Sequence, residues 1–390
     1  MAEQMTVKAE ATKRTGKRIL FAVMIGILFV IAALTYRHLD FQNIDERLAV
    51  IEASLAIPDS ENAAILYDKL LQNPDALIKD QPELHGQDVV ATRSQYWTKE
   101  EYPKIAIWIK DHKWLINELM KITQFEKCRF PLNVEPYRTI QVKHMSMMRK
   151  WAFLLCQAAN NDIGEGKIDD AIAKWQCLIQ IGKHLSQQSQ LFEYVLGQGF
   201  ESMGIMRTTR FLAECNVSES HLQKIESFQV QTHDDWPAVL DRTRPVEQIS
   251  EQKYKRQLSL IDRLKYEFGL GQFKGWKDPY HIIHGTHLRA IVNQRGMHIM
   301  VALRRYKNEH DQWPQTLDRI KPLVAEDVLT DPHNNGPFAY KLTDDGFILY
   351  SKGKNNIDEA GRKKDGADDW PIWLPKKIQA KEKADKITVE

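Results

Sequence analysis

Residues 350–373, YSKGKNNIDEAGRKKDGADDWPIW, place Asp358, Glu359, Asp365, Asp368 and Asp369 among the glycines 353, 361 and 366, directly after alternating β-type sequence. Carboxylates on a glycine-broken loop have the chemistry for a hard cation. Calcium takes six to eight oxygens at about 2.3–2.6 Å, and glycine lets the backbone curl enough to bring them together. The same residue types also make solvated turns. Arg362, Lys363 and Lys364 put three positive charges into this stretch, so pairing of Lys363 and Lys364 with the aspartates is the competing way to hold the loop. The spacing is not that of an EF-hand.

Two other stretches carry chemistry-bearing types. HIIHGTH presents His281, His284 and His287, which would meet at a metal only if the backbone turned there. Thr286 reads as the N-cap of the helix that follows, which leaves these as polar loop histidines. GLGQFKG, residues 269–275, lacks both the G-x-G-x-x-G register and a preceding strand, so it reads as a turn between domains rather than a nucleotide loop. No G-x-S-x-G, H-E-x-x-H or P-loop occurs, so the catalytic residues, if any, are unknown, and the chain reads more readily as a non-enzyme.

The elements that would position these residues fall into blocks. A chain of 390 residues, 43% hydrophobic and 27% charged, has the material for two or three packed domains. Its net charge of +2, with acids and bases interleaved, provides no footprint for nucleic acid. Residues 1–18 form a basic segment carrying Lys8, Lys13, Arg14, Lys17 and Arg18. The uncharged run ILFAVMIGILFVIAALTY, 19–36, follows. As a helix it would be about 27 Å long, enough to cross a hydrocarbon core of about 30 Å. The positive flank keeps the N-terminus inside and sends the bulk of the chain out of the cytoplasm, as a single-pass protein of the inner (cytoplasmic) membrane. A cleaved signal peptide is the alternative, but the run exceeds the usual h-region of about 7–15 residues and has no A-x-A site.

Residues 43–285 read as a helical domain. Ile44, Leu48, Ile51 and Leu55 make one apolar stripe. Ile105, Trp108, Ile109, Leu115, Ile116 and Leu119 make another, with Thr98 and Glu101 set ahead of it as a capping box. In residues 151–185, Ala159, Gly166, Ala171 and Trp175 fall where a tetratricopeptide hairpin places its small and aromatic residues; only one such hairpin is found. The cysteines, 128, 156, 177 and 215, show no metal or C-x-x-C spacing and are expected as buried thiols. From 286 to 375 the texture changes to one long helix, a short helix in WPQTLDRIKPLV, and strands in FAYKL and FILYS around a two-residue hairpin at Asp345-Gly346. Residues 376–390 are a charged tail.

The series ALRRYKNEHDQWPQTLDRI, DPHNNGPFAYKLTDDGFILYSKGKN, DEAG and ADDWPI resembles the C-terminal part of the major pseudopilins of type II secretion. The layout as a whole resembles a group of uncharacterised bacterial membrane-anchored proteins. The resemblance covers about a quarter of the chain. It implies a pseudopilin-like α+β module and a calcium ion held at the positions matching Asp358, Asp368 and Asp369, with carbonyls near Lys354 and Asn355 as further ligands. The anchor lacks the glutamate that sets filament register in that family, and residues 43–285 separate it from the module.

The expected fold is therefore mostly α: an N-terminal transmembrane helix, a helical-hairpin (tetratricopeptide-like) domain and a small antiparallel α+β module. The expected function is a non-enzymatic scaffold or interaction module of the cell envelope, working with an envelope protein partner and not with nucleic acid. The alternatives are an envelope hydrolase with its site between the two domains, and a component of a type II secretion-like filament.

Overall fold

The computed structural model describes residues 24, 44–78, 86–134, 143–228, 236–271, 279–344, 346–362 and 366–375. Apart from Met24, the expected span 19–36 lies outside them, as do segment 1–18 and tail 376–390. Among the described residues no helix is long and apolar enough to cross a membrane. The chain is mostly helical, with a small three-stranded antiparallel sheet towards its C-terminal end.

Helix α1 (Ile44–Ser54) turns its predicted stripe onto Val134, Val246 and Ile249. After α2 (Ala63–Gln72) and α3 (Gly86–Ser94), the stripe read as continuous over 105–119 is divided between α4 (Pro103–Asp111) and α5 (Lys113–Ile122). The break is at His112, whose backbone at φ −97°, ψ 12° leaves the helical region. Both short helices still bury their apolar faces in one core. Half of the predicted capping box forms: Glu101 Oε2 accepts from the Thr98 amide at 2.7 Å, but in a turn that precedes α4.

The hairpin of α6 (Lys143–Gly164) and α7 (Ile168–Ser186) forms where expected. Its turn closes with Lys167 N–H donating to the Asp162 carbonyl and Gly166 N–H to that of Ile163, with Gly166 at φ +74°, a Schellman ending that favours glycine. Ala159, Ala171 and Trp175 are all fully buried. Helix α8 (Leu191–Glu214) crosses α7 at unusually close range: an added Cβ at Gly182, Gly197 or Gly204 would fall within about 2.7 Å of the opposing helix. Helices α9 (Glu219–Glu226), α10 (Trp236–Gln257) and α11 (Leu260–Glu267) follow. The described cysteines are free thiols; Cys128, Cys156 and Cys177 are buried, and burial pushes the Cys177 thiol up to about 12.

Helix α12 runs from Pro279 to His310, so it begins earlier than the start expected at Thr286, and the boundary placed at 285/286 falls inside it. Proline at the first helical position has its φ preset and gives up an N–H that the helix does not use, so it outweighs the breaker look of Gly285-Thr286. The buried Arg304 donates to the carbonyls of Leu212 and Ala213 at 2.6 and 3.0 Å, occupying the C-terminal end of α8, and lies over the Trp313 ring. One continuous core takes in Trp175, Phe211, Leu222, Val301, Ile320, Phe347 and Leu349, so α12 joins the helices to the sheet.

The sheet comprises β1 (Ala339–Thr343), β2 (Gly346–Ser351) and β3 (Trp370–Trp373), in the order β1-β2-β3. Thr343 pairs with Gly346, so the strands close one position earlier than the sequence reading, with Gly346 at φ +142° inside β2; Asp345 lies outside the described residues. Strand β3 was not expected, because Pro371 argues against a strand. It is tolerated at the sheet edge, where Ile372 fills the space beside Gly296.

Candidate functional site

The acidic loop leaves β2 through Gly353 (φ +63°) and returns to β3 past Gly361 (φ +79°) and Gly366 (φ +88°). Its carboxylates face inward and accept from backbone amides. Asp369, fully buried, takes Glu359 N–H at 3.0 Å and Gly361 N–H at 2.8 Å on Oδ2. Asp368 Oδ2 takes Lys354 N–H at 2.8 Å and Asn355 N–H at 3.3 Å, while its own N–H donates to Glu359 Oε2. Asp358 Oδ1 takes the Tyr350 hydroxyl at 2.5 Å and Ala360 N–H at 3.0 Å, and these bonds hold its pKa below the usual carboxylate range. Burial raises that of Asp369, with Glu359 and Asp358 adding repulsion against two stabilising amides.

Whether calcium fits this loop turns on the oxygens left over. Asp368 Oδ1 and Asp369 Oδ1 are buried without a hydrogen-bond partner in the structure, so each has lone pairs that a water or a cation could take. A Cβ at Gly353 would fall 2.2 Å from Asp368 Oδ1, so only glycine leaves that oxygen its place. Against this, Lys354 and Asn355 direct their amides at Asp368. Among the described residues no group of three or more His, Cys, Asp or Glu is arranged to hold a metal ion. Asp368 and Asp369 offer hard oxygen donors of the kind calcium takes; Asp358 is engaged with Tyr350. Lys363, Lys364 and Asp365 lie outside the described residues, and Arg362 donates to the Glu359 carbonyl.

Beside the loop, Asp331, His333 and Ser351 come together in a way composition alone would not disclose. Ser351 Oγ is 2.9 Å from His333 Nδ1, and Asp331 Oδ1 is 3.7 Å from that same nitrogen. A nucleophilic triad needs the acid on one ring nitrogen and the nucleophile on the other. Here both meet Nδ1, and Ser351 is wholly buried, accepting from Gly353 N–H. Asp331 meanwhile accepts from the amides of His333 and Lys352, so the trio ties the 331–336 turn to the end of β2.

The three histidines lie on the first turns of α12, not on a loop, and they diverge in role. His287 is buried, with Nδ1 2.8 Å from the Tyr194 hydroxyl. His284 stacks on His287, with ring centroids 6.2 Å apart, and both lean on Trp236. His281 is exposed. Of the turn expected at 269–275, Gly269 and Gly271 both take φ +60°, and 272–278 lie outside the described residues.

Sequence reasoning missed a buried polar seam where α7 turns into α8. Glu201, 1% exposed, accepts from Ser186 Oγ at 2.9 Å beside buried Lys183, and burial raises its pKa to about 7. His184 donates from Nε2 to the Phe125 carbonyl at 2.8 Å and so accepts the Tyr67 hydroxyl on Nδ1; burial lowers its pKa to about 4. Glu193 takes His144 Nε2–H at 2.9 Å, and Glu247 takes the Leu191 amide at 3.0 Å. The available signal was SQQSQ, 186–190, a polar run between two apolar helices. The seam's hydrogen bonds tie the end of α7 to α8 and the start of α8 to α10.

Comparison with protein-family models, with curated proteins and with solved structures gives no match for this chain.

Proposed function

We propose that the chain is a single-pass, membrane-anchored extracytoplasmic protein acting as a non-enzymatic scaffold or interaction module of the cell envelope. The observation that carries this reading is the five-positive segment before the 18-residue uncharged run at 19–36. The buried placement of Ser351, with His333 meeting both its neighbours through one nitrogen, supports a binding role over a hydrolytic one. On this reading the α6–α7 hairpin is the tetratricopeptide-like element, and α12 with the sheet is the pseudopilin-like module, a fold used without its filament. Calcium at Asp368 and Asp369, with Asp358 at the rim, would fix the loop that closes the module.

The test is topology. A reporter active only outside the cytoplasm, fused after residue 60, should give signal, and the full chain should stay with membranes under carbonate washing. Release into the soluble fraction would favour a cleaved signal, and a signal from a cytoplasmic reporter would overturn the reading.

A further inference from the structure

We propose that the cleft between the start of α10, the first turns of α12 and the acidic loop is a binding site for a phosphate group, free or carried as a small monoester. The cleft has a volume of about 280 Å³ and is lined by Trp236 and Arg244 from α10, Tyr280, His281 and His284 from α12, and Lys354 from the loop. Three separated chain segments thus bring two permanent cations and two imidazoles to one concavity, with no carboxylate among the described residues that line it.

Among the described residues no acid pairs with the cations of this cleft, Arg244 and Lys354. The Arg244 guanidinium instead lies 5.4 Å from the Tyr280 ring centroid. Exposed cations elsewhere on the molecule find acids, as Lys127 does with Glu61 and Lys224 with Asp169. The 32-residue α12 adds the positive end of its dipole. His284 registers the field: burial lowers its pKa first, then Lys354 and His281 lower it further. An arginine fork, a point-charge lysine and imidazoles that become donors when protonated suit several oxygens carrying two charges better than one carboxylate.

The groups facing His284 are Arg244 and Trp236 from α10, Lys354 from the loop, and Tyr280, His281 and His287 on its own helix. All that titrate near neutrality do so towards positive charge as pH falls. Binding of an anion of fixed charge therefore tightens in acid, and by linkage such an anion favours the protonated form of His284.

Isothermal titration of the full chain in detergent tests the site, with inorganic phosphate and glycerol phosphate as separate probes. One saturable site is expected for each; equal affinities mean that the phosphate alone is read, and a tighter monoester means that its carrier is read too. Sulfate, doubly charged throughout, should bind more tightly at about pH 6 than at about pH 8. Arg244→Gln/Lys354→Gln should weaken binding at least about tenfold with an unchanged unfolding midpoint, whereas Arg244→Lys/Lys354→Arg should retain it within about threefold. An absence of saturable heat in the wild type, or wild-type affinity in the double glutamine variant, would overturn the proposal and show that the chain itself neutralises the cleft.

Discussion

The α7–α8 crossing allows one atom to be added at two nearby positions with opposite expected signs. At Gly197 a new Cβ would lie 2.5 Å from the Gly182 carbonyl oxygen and 2.5 Å from both Ser186 N and Ser186 Oγ. Two of these are backbone atoms of the facing helix and cannot rotate aside, so the helices must part by about 1 Å in a close-packed interior. Overpacking of this kind costs about 1–3 kcal/mol or more, against which alanine recovers up to about 1 kcal/mol of helix propensity. At Gly199, exposed on the same helix, nothing lies within 4 Å, so Gly199→Ala should stabilise by up to about 1 kcal/mol. The two variants should differ by roughly 1–3 kcal/mol, the overpacking cost, because the propensity gain is common to both. An unfolding entropy of about 2.1 cal/mol/K per residue makes that a split of about 1–4 °C in Tm for a chain this long. Thermal unfolding followed by near-ultraviolet circular dichroism measures it. If Gly197→Ala gains stability as Gly199→Ala does, the helices do not touch at Gly197 and the account of the crossing fails.

Two further outcomes follow from buried and loop carboxylates. With a folded pKa of about 7 against an unfolded value near 4.5, Glu201 makes the wild type lose stability as pH rises from about 4.5 through about 7, on the order of 3 kcal/mol in all. Glu201→Gln should remove that slope in urea midpoints and be the more stable form at about pH 8. His184 is one contributor to the acid limb left in the variant, its share being lost as pH falls from about 6.5 to about 4, and Asp358 is another; a profile unchanged by Glu201→Gln would contradict the assignment. At the loop, calcium at about 1 mM should raise the Tm of the full chain by binding the folded form, and the rise should vanish in Asp368→Ala/Asp369→Ala. Equal midpoints in calcium and in chelator would mean that the amide bonds alone hold the loop.

What could be read along the chain was whatever repeats with a short period. The stripe from Ile44, the hairpin of Ala159, Ala171 and Trp175, and the alternation of FAYKL and FILYS each declare an element and its buried face, and each is found. Punctuation was read less well. His112 divides a stripe that periodicity joins, Pro279 starts a helix seven residues before its apparent cap, and Pro371 lies in a strand. Pro279 is itself a residue that a helix accepts in its first turn, whereas Pro371 is accepted because β3 is an edge strand that need not donate outward. The polar seam was illegible for a different reason: Glu201, Ser186 and Tyr67 with His184 acquire meaning only from partners far away in sequence. The acidic loop was legible as a cluster of oxygens, but not in its sense, since nothing in DEAG or ADDW says that the carboxylates turn inward onto amides.

Lys354 shows why the loop and the cleft must be considered together. Its amide is held by Asp368 Oδ2 at 2.8 Å, and its exposed side chain lines the cleft opposite His284. The position of that cation is therefore set by a carboxylate whose second oxygen is buried and unpartnered. A cation on Asp368 Oδ1 would pin the carboxylate and with it the Lys354 backbone, so the loop and the cleft are linked through one residue without sharing a ligand. Thermodynamic linkage makes such coupling reciprocal: whatever occupancy of the loop does for anion affinity, the anion does for the loop. Further along α12, Val292, Met297 and Val301 share a core with Phe347 and Leu349 of β2, so the helix whose first turns line the cleft is fixed against the sheet.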